Sequence, residues 1–105
     1  MAVCAFAVRA TITPEREEAF NRWYHEEHIP QVLRYNGAIS ARRYKVILGD
    51  DKYQYMAFYE FASEEVFEAF QASDHFRELI AEYDEHFGET SERTRSAYVQ
   101  VWPPV

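Results

Sequence analysis

The chain has 105 residues, with 18 acidic against 11 basic side chains and a formal net charge of −7 at neutral pH. That length accommodates one domain, residues 1–105, and the acidic balance repels phosphate backbones, which excludes nucleic acid as a partner. The longest apolar stretch, residues 2–8, is too short to span a bilayer and has no basic segment before it, so it reads as a strand rather than a signal peptide. No basic helical run marks a membrane surface.

Apolar residues make up 48% of the chain and aromatics 17%, more than a small domain readily hides, so a partner surface or a ligand cavity is expected. Cys4 is the only cysteine. A lone thiol forms no disulfide framework and fits a reducing cytoplasm.

In chain order, residues 2–11 form a strand with apolar side chains on both parities. Thr13 offers a helix cap, Pro14 suits the first helical position, and Glu15, Glu17 and Glu18 load the first turn with negative charge. The helix runs from 14 to about 28 with Ala19, Phe20, Trp23 and Tyr24 as its apolar stripe, and Pro30 is expected to kink or stop it. A short helical piece over 30–35 ends at Asn36-Gly37. Strands over 38–48 and 53–62 are joined by Leu48-Gly-Asp-Asp-Lys52 as a hairpin. Ser63 caps a helix over 64–72; Ser73 or Asp74 restarts it through Phe76, Leu79, Ile80 and Tyr83 to Phe87, with Gly88 as the stop. A last strand spans 94–102, before Pro103-Pro104.

The order β-α-β-β-α-β predicts an α+β, ferredoxin-like domain: a four-stranded antiparallel sheet with the helices on one face. Such a sheet alternates apolar and polar residues when its other face is wet. The third strand does not. Tyr53, Tyr55, Ala57, Tyr59 and Phe61 occupy one parity, and Gln54, Met56, Phe58 and Glu60 the other. The second face then needs another sheet, and a second copy is the economical source, so a homodimer is expected.

The most distinctive segment is Phe20-Asn-Arg-Trp-Tyr-His-Glu-Glu-His-Ile-Pro30. His28 falls at a helix end beside a break in regular structure, where an imidazole can serve as general acid or base; the bland alternative is a partly buried ring bonded to a free carbonyl. Helical-wheel counting puts Glu27 at the centre of the apolar face, with His28 toward its edge and His25 and Glu26 outward, so either Glu27 is the inward polar group or the irregular helix end rotates His28 inward. His25 and His28 are three apart rather than four and have no third ligand in sequence, so no metal is expected. His75, at the junction of the last two helical pieces, is the second candidate acid or base, whereas His86 near a helix C-terminus reads as structural. Arg42 and Arg43 point to opposite faces of a strand; Arg43 on the helix side could meet a carboxylate or phenolate, or the pair could simply keep an edge strand soluble. Tyr55 and Tyr59 could hydrogen-bond an oxygenated ligand or be plain core. No glycine-rich phosphate loop, dinucleotide fingerprint or nucleophile elbow is present, so the expected chemistry is cofactor-free acid–base work on a small molecule.

Trp23-Tyr24…Glu27-His28-Ile29-Pro30, followed by Gly37 and Arg42-Arg43-Tyr44, resembles the EthD-like branch of the dimeric α/β-barrel superfamily, and Tyr59-Glu-Phe-Ala-Ser63 with Ser73-Asp-His-Phe76 is similar to its antibiotic-biosynthesis-monooxygenase-like relatives. The resemblance implies a protomer whose sheet packs on a second copy, with a ligand cleft between each sheet and its own helices. It implies a cofactor-free decarboxylase, dehydratase, cyclase or isomerase of aromatic or polyketide-like compounds, or a cofactor-independent monooxygenase of phenolic substrates; a non-catalytic dimer binding a hydrophobic ligand is the remaining reading. It also implies His28 or His75 as the catalytic group; the residues themselves make Trp23, Tyr24, Glu27, Arg43, Tyr55 and Tyr59 the candidates to surround the substrate.

Overall fold

A computed structural model describes residues 2–104. Its elements are β1 (Cys4–Ala10), a 3-10 turn (Pro14–Arg16), α1 (Glu17–Trp23), a π-helical turn (Tyr24–His28), α2 (Ile29–Leu33), β2 (Ala38–Lys45), β3 (Tyr55–Phe61), α3 (Glu64–Gln71), α4 (Asp74–Phe87) and β4 (Arg93–Val99). The four strands make one antiparallel sheet in the order β2-β3-β1-β4. This is the expected α+β, ferredoxin-like arrangement.

Alternation along each strand sorts the side chains between two faces. Cys4, Phe6, Val8 and Ala10 of β1 and Ala57, Tyr59 and Phe61 of β3 are buried on the face that the helices cover. They join Phe20, Trp23, Tyr24, Val32, Phe67, Phe70, Leu79, Tyr83 and Phe87 from the helical segments in one cluster. Each aromatic side chain buried there contributes on the order of 2 kcal/mol. Among the described residues no element covers the opposite face: Met56 and Phe58 are half-buried, and Tyr44 and Tyr98 are 47% and 59% exposed.

Local signals explain most boundaries. The Ser63 hydroxyl accepts from the Val66 N–H at 3.2 Å and starts α3; the Ser73 hydroxyl accepts from the Phe76 N–H at 3.1 Å and starts α4. Gly37 stands at φ +103°, and a Cβ there would collide with Val66. Thr13 differs from expectation: its side chain caps nothing, and its carbonyl instead accepts from the Arg16 N–H at 3.0 Å to close a 3-10 turn. The hairpin is longer than its turn residues suggest. Pairing closes with the Val46 N–H on the Gln54 carbonyl, and Ile47 and Leu48 stand 99% and 93% exposed at the tip.

Pro30 neither stops nor sharply breaks the helix. Residues 17–33 run through α1, the π-helical turn and α2 without interruption, and Ile29, before the proline, keeps αR geometry with φ −61° and ψ −47°. The missing N–H of Pro30 disrupts the ordinary i→i−4 ladder, and the wider turn just before it absorbs the defect: the Ile29 N–H reaches back five residues to the Tyr24 carbonyl.

Candidate functional site

The π-helical turn determines which side chain meets the core. Its ladder takes one extra residue per turn, so the helical phase slips by about one residue across it. His28 turns inward and is 7% exposed, while Glu27, which regular counting centres on the apolar face, is exposed. Glu27 is therefore corrected from a site residue to a solvent-facing one; His25 and Glu26 are exposed as expected. The His28 ring lies on the Trp23 ring, centroids 4.6 Å apart and planes at 21°, and stands edge-on to Tyr24 at 4.9 Å. Trp23 thus backs the imidazole rather than facing a ligand.

On its free side His28 lines a cleft between the sheet and the helices. The walls are apolar, with Phe6, Val8, Val32, Phe76 and Leu79 among them, and the polar groups that open onto it come from Tyr24, His28, Tyr59, Arg93 and Arg95. The cleft has a volume of about 30 Å³. As it stands it takes a small polar group or one or two waters, and a larger ligand needs its walls to part.

Electrostatics make His28 neutral. Burial, followed by the positive charges of Arg93 and Arg43, pushes its pKa from 6.5 down to about 3. Its Nδ1 is buried without a hydrogen-bond partner among the described residues, and so is the hydroxyl of Tyr59. Burial raises the Tyr24 and Tyr59 phenols, and the guanidinium charges of Arg43 and Arg93 only partly oppose it, so both tyrosines remain protonated donors. The site combines an uncharged imidazole with two phenolic O–H groups in an apolar wall.

Arg93 and Arg95 were not singled out by the sequence reading. They sit two apart on β4 and oppose Ala10 and Val8 of β1, hence lie on the helix-covered face. The signal was the Arg-Thr-Arg alternation, hidden because the last strand was expected to begin at Thr94 rather than Arg93.

Arg43 and Tyr55 lie outside this cleft. The Arg43 guanidinium stands 4.3 Å from the Tyr24 ring and 4.8 Å from Tyr55; it donates to Asn21 Oδ1 at 2.7 Å and meets His25 Nε2 at 3.2 Å. Tyr55 donates to Glu17 and accepts from Asn21. Arg43 therefore supports Tyr24 from the side remote from the cleft. His75 is also elsewhere: its Nε2 lies 2.7 Å from the Gln31 carbonyl, in a shallow surface groove with Arg34 and Glu82. Of the two candidate histidines, only His28 borders the apolar cleft. Among the described residues no group of three or more His, Cys, Asp or Glu side chains is placed to hold a metal ion, and no helix is long and apolar enough to cross a membrane.

The fold is shared with several solved structures. An EthD-family protein from Bacillus halodurans superposes with a TM-score of 0.66 at 17% identity, covering 91% of this chain and 97% of its own. HapK from Hahella chejuensis gives 0.70 at 13% identity over 100% and 97%. SnoaB, a cofactor-independent oxygenase from Streptomyces nogalater, gives 0.64 at 16% identity over 98% and 99%. At such identities the likeness is one of fold alone. None of the curated proteins matches the sequence. A family model does match, across residues 3–100, and the chain belongs to that family, described as Domain of unknown function (DUF4286).

Proposed function

We propose that the protein is a cofactor-free acid–base enzyme acting on a small oxygenated carbon acid, with His28 as general base. One observation carries the reading: an imidazole held neutral by burial borders an apolar cleft that also presents the Tyr24 and Tyr59 hydroxyls. Neutral imidazole removes a proton from a carbon beside a carbonyl, and a phenolic O–H donates to the oxygen on which the negative charge settles. Return of the proton at another carbon gives an isomerase; loss of a leaving group gives a dehydratase or another lyase. Arg43 acts by holding Tyr24, and His75 by tying α4 to α2. The reading places the enzyme in a reducing cytoplasm, where buried Cys4 stays a thiol.

A second reading keeps the same first step. The carbanion formed at His28 adds O2 and a proton to give a hydroperoxide, whose O–O bond breaks with loss of water to leave a carbonyl, as a cofactor-independent oxygenase could do; the fold shared with SnoaB favours it. Both readings are tested by incubating the protein in D2O with anthrone, a hydroquinone and acetoacetate, following deuterium at carbon by NMR and O2 with an electrode. Exchange lost in His28→Gln supports the base; added O2 uptake selects the oxygenase. Exchange that persists in His28→Gln, or is absent throughout, overturns both and leaves a ligand-binding dimer.

The uncovered sheet face is where a second copy packs in this proposal. Met56 and Phe58 at its centre, with Tyr44 and Tyr98 flanking, form a self-complementary apolar patch that closes a barrel of two sheets.

A further inference from the structure

The two arginines of β4 are anomalous in this chain. Net charge is −7, yet Arg93 and Arg95 stand side by side at one apolar cleft. Arg93 lies 3.8 Å from the Tyr83 ring centroid, and its ion pair is with Asp84, at 3.5 Å, a carboxylate 62% exposed on the outer side of α4. Arg95 makes no ion pair among the described residues, and its guanidinium leans toward the Phe76 ring at 5.9 Å. Arg93 is half-buried and Arg95 exposed, and their two like charges repel each other beside an apolar wall, a repulsion that an anion between them relieves. The Tyr59 hydroxyl, fully buried, belongs to a side chain that lines the same cleft and has no partner among the described residues. The guanidinium N–H groups not engaged by Asp84, with the phenolic O–H, are donors suited to a planar two-oxygen anion.

We infer that the cleft takes a substrate bearing a carboxylate, held by Arg93 and Arg95 with the Tyr59 hydroxyl as a further donor. The inference rests on the reading of His28 as base and names the substrate class of that site: an organic acid whose reactive C–H lies next to the held group. The groups around His28 are Tyr24 on its own turn, Tyr59 on β3, Tyr83 on α4 and Arg93 and Arg95 on β4, with the charge of Arg43 on β2 reaching it from beyond Tyr24, so a bound carboxylate is the one negative charge in the arrangement apart from outward Asp84. Such a carboxylate offsets the guanidinium charges, which oppose protonation of His28 second to its burial. The acid group is of the size that the cleft admits.

The test uses benzoate and its neutral isostere benzamide as probes, with binding and the His28 ring protons followed by NMR. Benzoate is expected to bind, to shift the His28 ring-proton resonances, and to bind at least about tenfold more weakly to Arg95→Gln and Arg93→Gln. Benzamide is expected to do none of this. Arg95→Gln decides the matter if Arg93→Gln fails to fold, because Arg95 is an exposed residue. Equal affinity for benzamide, or unchanged benzoate affinity in Arg95→Gln, overturns the inference. The two proposals fail separately. Loss of deuterium exchange in His28→Gln without benzoate binding keeps the base and removes the acid site. Tight benzoate binding with undiminished exchange in His28→Gln does the reverse.

Discussion

His28 links stability to pH through its burial. Its folded pKa is about 3 and its unfolded value 6.5, so the unfolded chain binds the proton first. The contribution is fully present above about pH 6.5 and is lost progressively as pH falls from there toward 3. One proton of difference corresponds to about 1.4 kcal/mol per pH unit, so lowering pH from about 7.5 to about 5.5 should cost about 1.4 kcal/mol through this group alone. Urea melts of the protein and of His28→Asn at both pH values check this: the variant should show a pH loss smaller by that amount. Tyr59 gives a complementary prediction. Its buried hydroxyl has no partner among the described residues, so Tyr59→Phe should leave stability unchanged or raise it by up to ~1 kcal/mol while weakening turnover. A loss above ~1 kcal/mol in denaturant titration would show the hydroxyl to be satisfied within the fold. The candidate site was legible in sequence where chemistry and place coincide, at His28 and Tyr24. It was not legible at Arg93 and Arg95, because a charged pair near a strand end reads as solvated surface until the neighbouring helix is seen to roof it.

At the scale of elements, capping chemistry was readable because it is local. Ser63 and Ser73 use their own hydroxyls on N–H groups three residues on, which sequence spacing alone reveals. Ser63→Ala should cost about 1 kcal/mol, measured as a lower urea midpoint at constant m-value. Gly37→Ala should cost more, on the order of 2 kcal/mol, since it combines a positive φ with a clash against Val66. Its readout is the thermal midpoint, and a midpoint equal to wild type would mean that α3 shifts to make room. The π-helical turn was only half legible. Pro30 announced a defect in the ladder, but whether the chain breaks, kinks or widens depends on which outcome packs best. Here widening buries His28 against Trp23 and releases Glu27 to solvent, an exchange that a fixed 100° count cannot represent.

At the scale of the whole molecule, the proposed dimer rests on Phe58 and Met56, half-buried in a sheet face that no element among the described residues covers. Phe58→Glu should yield a folded monomer at micromolar concentration by sedimentation, where the unaltered chain sediments as a dimer; a monomer in both cases would contradict the proposal. Composition and pattern by themselves determined the β-α-β-β-α-β order, the antiparallel sheet, its one-sided helical cover and the surplus of apolar surface, because alternation and capping are short-range signals. Only the tertiary structure decided that His28 rather than Glu27 or His75 meets the cleft, that Arg43 supports Tyr24 from behind, and that Arg93 and Arg95 line the cleft. Those outcomes depend on helical phase across one irregular turn and on strand register, which residues distant in sequence set together.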